Sequence, residues 1–357
     1  MAGLSASPRS GALRQAALPA VAPMGHSTGS AGQAPPVPPS PEDQPVTQLD
    51  QPVAPAGAAR AGRSDAWLGL ACGAGAALIW GVQAVVSRQS VADGLSAADV
   101  TVLRFIAAAL VLLPFALTRV RPFPVGPIGW KRAIILTLLA GAPYSLVLVG
   151  GSAFAPALHT AVVTPGLIPV LAAGLAFVVL GERPPRRHLI GLGLIVAGVL
   201  IFAWQAFAGA PARDGAWRGD LLFVLAAVMW AAFGLLAKRW QADALGLTIT
   251  ICLLSVVTAP LLAVAVPLHM AGASLEALAL QAIYQGVLVG VVSLFLYAKA
   301  NAILGAARAA LFLPLVPAVT AVASTVLLGE WPSGLEIAGM AVAMAGMTLA
   351  LRPAPRR

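Results

Sequence analysis

Of 357 residues, 59% are hydrophobic and only 10% charged, too little polar surface for a soluble fold of this length. The net charge of +9 comes from Lys and Arg scattered in small groups between apolar runs, with no continuous basic face, which argues against nucleic acid as a partner. Cys72 and Cys252 fall inside apolar runs and read as small buried hydrophobes, not as metal ligands or a redox pair.

Residues 1–63 are rich in Ala, Pro, Gly and Ser and have no periodic apolar stripe. Such a segment cannot bury enough surface to offset its ordering entropy, so a disordered tail is expected. It lacks the apolar core of a secretory signal after Arg9 and Arg14; a transit peptide or a misplaced start codon stays open.

Ten apolar runs follow, at 66–90, 97–117, 132–150, 156–180, 188–206, 219–237, 244–266, 278–298, 303–328 and 335–351. Each is long enough to cross about 30 Å of hydrocarbon as a helix. The expected fold is an all-α integral membrane protein of ten transmembrane helices. With both termini in the cytoplasm, the inner connections carry Arg119, Arg121, Lys131, Arg132, Arg183, Arg186, Arg187, Lys238, Arg239 and Lys299, with Arg352, Arg356 and Arg357 at the tail. The outer connections hold little beyond Arg88, Arg213 and Arg218. This asymmetry fits the positive-inside rule and a plasma membrane, bacterial inner membrane being the expected setting.

The two halves, 66–206 and 219–352, repeat each other. Gly69, Ala76, Ala77 and Trp80 match Gly219, Ala226, Ala227 and Trp230. Pro169, Leu180-Gly181-Glu182, Pro184, Gly191 and Gly198 match Pro317, Leu328-Gly329-Glu330, Pro332, Gly339 and Gly346. An odd number of spans per half makes the two five-helix repeats inverted, a plan used by alternating-access carriers in which one half rocks against the other.

With Ala77-Leu-Ile-Trp80-Gly81, Leu103-Arg104-Phe105, the two Leu-Gly-Glu corners and a Gly-rich fifth helix in each half, residues 66–352 resemble the drug/metabolite transporter superfamily, in particular its ten-helix EamA-type members. The resemblance implies a secondary transporter and an exporter of a small polar metabolite. Amino-acid-like and drug-like solutes fit it equally. The expected partners are that solute and the lipid bilayer, and a homodimer stays open. No catalytic residue, metal ligand or cofactor is expected, because Walker A, H-E-x-x-H and C-x-x-C patterns are missing. A membrane enzyme centred on Arg104 and His159, or a receptor or assembly factor, are the alternatives.

Trp80 and Trp230 sit about halfway along their helices, where an indole N–H needs a partner, so each reads as cavity lining or helix packing. Gln83, one turn beyond Trp80, is placed with them. Arg104 lies about 10 Å into the second span and must pair, face water or reach Asp99 at the helix end. The resemblance favours a functional arginine there. Tyr144, His159 and Thr160 add polar groups to the third and fourth spans, with solute contact set against ordinary helix–helix bonding. Tyr284, Gln285 and Ser293 do the same on the eighth span, beside Gln281 and Tyr297. Pro169 and Pro317 read as mid-helix kinks or hinges, with Pro165 and Pro314 nearby. Glu182 and Glu330 read as helix corners, with gating the alternative. The deep cations Arg104, Lys299 and Arg308 tilt the solute toward anions and zwitterions. Every Asp and Glu falls in the tail, a loop or a helix end, which leaves the energy source open between proton coupling through His159, exchange and facilitation.

Overall fold

The computed structural model describes residues 63–181, 184–207, 215–263 and 268–351. The tail 1–62, Glu182, Arg183, Arg213 and the terminal arginines at 352, 356 and 357 lie outside the described residues. Among the described residues ten helices are long and apolar enough to span a bilayer: α1 (Asp65–Ala92), α2 (Ala97–Thr118), α3 (Trp130–Gly151), α4 (Ala157–Val179), α5 (Arg186–Trp204), α6 (Ala216–Arg239), α7 (Ala244–Leu261), α8 (Leu275–Leu304), α9 (Ala310–Leu328) and α10 (Gly334–Leu351). Ten crossings put the start of α1 and the end of α10 on one face, called proximal below; the α1–α2, α3–α4, α5–α6, α7–α8 and α9–α10 connections lie on the opposite, distal face.

Local chemistry explains where these helices stop. Gly181 and Gly329 take left-handed conformations, at φ 69° and 66°, and close α4 and α9 at the two matched Leu-Gly-Glu corners. Ser96 and Asp99 cap α2 reciprocally. Ser333 and Glu336 do so for α10, the Ser333 N–H donating to Glu336 Oε2 at 2.7 Å and the Glu336 N–H to Ser333 Oγ at 3.2 Å.

The principal helix contacts run between the halves. α1 packs on α8 and α9, and in the related arrangement α6 packs on α3 and α4; α2 meets α7 and α8, α3 meets α7, and α5 lies along α10. The α5–α10 seam is the tightest. A Cβ at Gly191 would stand 2.7 Å from the Ala350 nitrogen, at Gly346 2.6 Å from that of Ile195, and at Gly339 2.5 Å from that of Phe202. Glycine is required there so that two backbones can touch.

Two spans are less regular than the sequence reading expects. α3 is broken at Gly141 into Trp130–Ala140 and Ala142–Gly151. Pro143 has no N–H and would crowd a continuous helix, and the freed Ala142 N–H donates to Ser255 Oγ of α7 at 3.1 Å. In the related place of the second half, α8 runs as a π-helix over Ala282–Val292. Pro317 is a further difference. Pro169 does lie inside α4, but Pro317 is buried in the first turn of Leu315–Leu328, where a missing N–H costs nothing. The interruption falls just before it, at a short 3-10 turn over Ala310–Phe312 and at Pro314.

Candidate functional site

The central tryptophans each find a tyrosine from the other half. Trp80 of α1 lies against Tyr297 of α8 with ring centroids 5.2 Å apart, and Trp230 of α6 lies against Tyr144 of α3 at 5.0 Å and Phe233 at 5.3 Å. Tilted rings at this spacing are favourable aromatic packing. First helix of one repeat against third helix of the other is the fold's own pairing, so the repeat symmetry places both contacts.

Arg104 is where the symmetry ends. It projects from α2 within electrostatic reach of Tyr144 and Cys252, and its guanidinium carbon is 5.6 Å from the Phe105 ring centroid. Its Nη1 is buried with no hydrogen-bond partner among the described residues. Gly286 of α8 lies against the backbone at this residue: a Cβ there would meet the Arg104 carbonyl oxygen at 2.8 Å, so only glycine lets α8 press on α2 at this level. Asp99 does not serve Arg104. Its carboxylate accepts from Ser96 and from the His269 N–H, 3.0 Å from both oxygens, pinning the α7–α8 connection to the distal end of α2.

The α8 polar groups turn toward α1. The Gln281 amide donates to the Val86 carbonyl at 3.0 Å, Gln285 to Ser87 Oγ at 2.8 Å, and the Tyr284 hydroxyl to the Ile79 carbonyl at 3.1 Å. Ser293 donates back to the Val289 carbonyl at 2.8 Å. Buried Oε1 atoms of Gln281 and Gln285 and Oγ1 of Thr160 have no hydrogen-bond partner among the described residues. Gln83 is half-buried on α1.

Two polar clusters were not legible as such in the sequence. At the distal face Arg88 of α1 pairs with Glu330 beyond α9, Nε to Oε1 3.1 Å, and donates from Nη1 to the Ser152 carbonyl at the end of α3, 2.7 Å. Glu330 Oε2 accepts the Ala157 N–H at the start of α4, 3.0 Å. One ion pair therefore fastens α1 and α9 to α3 and α4. Just inside it, His159 of α4 stands between two acids: Nδ1 is 2.7 Å from Asp220 Oδ1 of α6, and Nε2 is 3.3 Å from Glu336 Oε1 of α10. The Phe202 ring of α5 packs edge-on against the imidazole at 4.8 Å. Glu336 lies in the first turn of α10 and Asp220 is the fifth residue of α6, but neither position exposes its acid; Asp220 is 3% and Glu336 1% accessible. The capping pattern Ser333-x-x-Glu336 was the available signal for the second.

Ten apolar spans, an inverted repeat and polar groups gathered where the repeats cross define a polytopic transporter fold. The EamA-like transporter family matches at residues 67–204 and again at 217–352, and the chain belongs to that family. The "Probable terminal-alkyne amino-acid exporter" of Streptantibioticus cattleyicolor is 30% identical over 237 residues, 63% of this chain and 76% of that protein. A protein of known crystal structure superposes with a TM-score of 0.54 at 19% identity, over 80% of this chain and 96% of the other, a likeness of fold alone.

Proposed function

We propose that the protein is a secondary carrier that exports a small amino-acid-like solute across the plasma membrane by alternating access, with both termini cytoplasmic. The buried, unpartnered Nη1 of Arg104 carries this reading. A guanidinium in an apolar fold needs an acceptor, and a solute carboxylate supplies one with charge-assisted hydrogen bonds. Tyr144 and Trp230 stand by as an aromatic wall. The same cation opposes a cationic drug. The exporter of terminal-alkyne amino acids among its relatives supports the solute class.

In this arrangement the Arg88–Glu330 bridge is the distal gate in its closed position. Opening it separates α1 and α9 from α3 and α4, with Pro169 and the Pro314–Pro317 region as the bending points. Full-length protein in proteoliposomes preloaded with a mixture of amino acids, one bearing a terminal alkyne, should take up labelled amino acid by counterflow. Arg104→Gln should lose that uptake. Counterflow unaffected by the substitution would remove Arg104 from the site, and none in the unaltered protein would sink the carrier reading.

A further inference from the structure

The His159 cluster engages both ring nitrogens with acids, which an ordinary structural histidine would not require. Both ring nitrogens face carboxylate oxygens, Asp220 Oδ1 at 2.7 Å and Glu336 Oε1 at 3.3 Å. Each such contact needs a hydrogen between the heavy atoms, and a neutral imidazole brings one. The second comes either from an imidazolium between two carboxylates or from a carboxyl that donates to the ring. The proton count is the same in both. We propose that His159, Asp220 and Glu336 form the binding site of a coupling proton, whose presence keeps the distal side closed; this rests on the carrier reading above.

Three observations support a site and not a mere packing contact. Asp220 Oδ2 is buried without a hydrogen-bond partner among the described residues, so the cluster is under-satisfied on the side of an acid. The fold does not demand acids here: in the register set by Gly69 with Gly219 and Gly191 with Gly339, Asp220 corresponds to Leu70 and Glu336 to His188. The cluster also joins α4 and α6 to α10 directly beneath the distal gate, because the Ala157 N–H held by Glu330 is two residues before His159.

The charges facing the imidazole come from several helices. α6 contributes Asp220 and α10 contributes Glu336. Arg88 of α1 and Glu330 beyond α9 reach the start of α4, and α5 presents the Phe202 ring. With the proton bound, the three groups carry one negative charge; without it they carry two in a buried setting, and a ring lone pair faces a carboxylate. The contact to Glu336 is the longer and gives way first, releasing α10 from α4. The transport cycle then balances. A proton enters the open distal side, closes the cluster, and leaves to water on the proximal side before the solute binds Arg104. The deprotonated, solute-loaded carrier opens distally. One proton moves inward for each solute moved outward, and nothing is oxidised or reduced.

The test uses full-length protein in proteoliposomes holding pyranine and the amino-acid mixture, with membrane potential clamped by potassium and valinomycin. Dilution into amino-acid-free buffer should acidify the lumen as solute leaves. An imposed gradient of one pH unit, acid inside, should drive labelled amino acid inward to about tenfold accumulation for one-to-one exchange. Glu336→Gln, checked for a monodisperse elution profile, fixes the cluster at the charge it has with the proton bound, so it should slow counterflow and lose both proton-linked signals. Counterflow by the unaltered protein with a constant lumen pH overturns the coupling and leaves the carrier standing. Acidification by Glu336→Gln equal to that of the unaltered protein overturns the assignment to this cluster. Should that variant not fold, the pyranine signal of the unaltered protein decides, and absence of counterflow in the unaltered protein overturns carrier and coupling together.

Discussion

Arg104 and Glu330 hold charge in two different ways, and each way predicts a different phenotype. Arg104 has a buried Nη1 with no acceptor among the described residues, so its substitution should act on solute affinity. Charge-assisted hydrogen bonds contribute about 1.5–3 kcal/mol, so Arg104→Gln should raise the KM for transport about ten- to hundredfold. Arg104→Lys should recover only part, since an ammonium keeps the charge but not the planar fork. Glu330 is fully engaged, by Arg88 and the Ala157 N–H, and its loss should act on conformation. The bridge is partly exposed, its side chains 31% and 24% accessible, so breaking it shifts the balance by about 1 kcal/mol, a factor of about five. A cysteine at the buried distal Ser152 should react with a membrane-impermeant maleimide about fivefold faster in Glu330→Gln than in unaltered protein. Equal rates would mean that the bridge is not part of the closure.

Among the elements, the ten spans were legible because apolar runs of this length leave little choice, and most ends fall within three residues of the sequence reading; the exceptions are the end of α7, at Leu261, and the α8–α9 boundary, where α8 runs on to Leu304 and α9 starts only at Ala310. The break at Gly141 was not, since it depends on what the neighbouring helix offers, Ser255 Oγ of α7. For the same reason Trp80, Trp230 and Arg104 could be picked out as central from their depth alone, whereas the partners of His159 could not. They sit 61 and 177 residues away and announce themselves only as ordinary helix-start acids. The seam between α5 and α10 makes its own prediction. Gly198 faces Gly339 and Ala343 so closely that any side chain must displace backbone. Gly198→Leu should cost about 1–3 kcal/mol and lower the unfolding midpoint in detergent, while the same change at Gly193, which has open space around it, should not.

At the scale of the whole molecule, the halves are interlocked and not merely adjacent. Each repeat lends its first helix to the third and fourth helices of the other, and its fifth to the other's fifth. Neither half can therefore bury its own small-residue faces. A chain cut within 208–214 should transport only when both pieces are made together, and either alone should be degraded; activity in one piece would contradict the packing. The same interlocking has a consequence for how the protein is made. Synthesis delivers α1 to α5 to the bilayer while every principal partner they will have is still untranslated, so the Gly191 and Gly198 face of α5, the Arg104 level of α2 and His159, ahead of its acids on α6 and α10, must wait in lipid. Assembly is then less a folding of one half followed by the other than a docking of two unfinished surfaces, and the interval between them is when this chain most needs a chaperone.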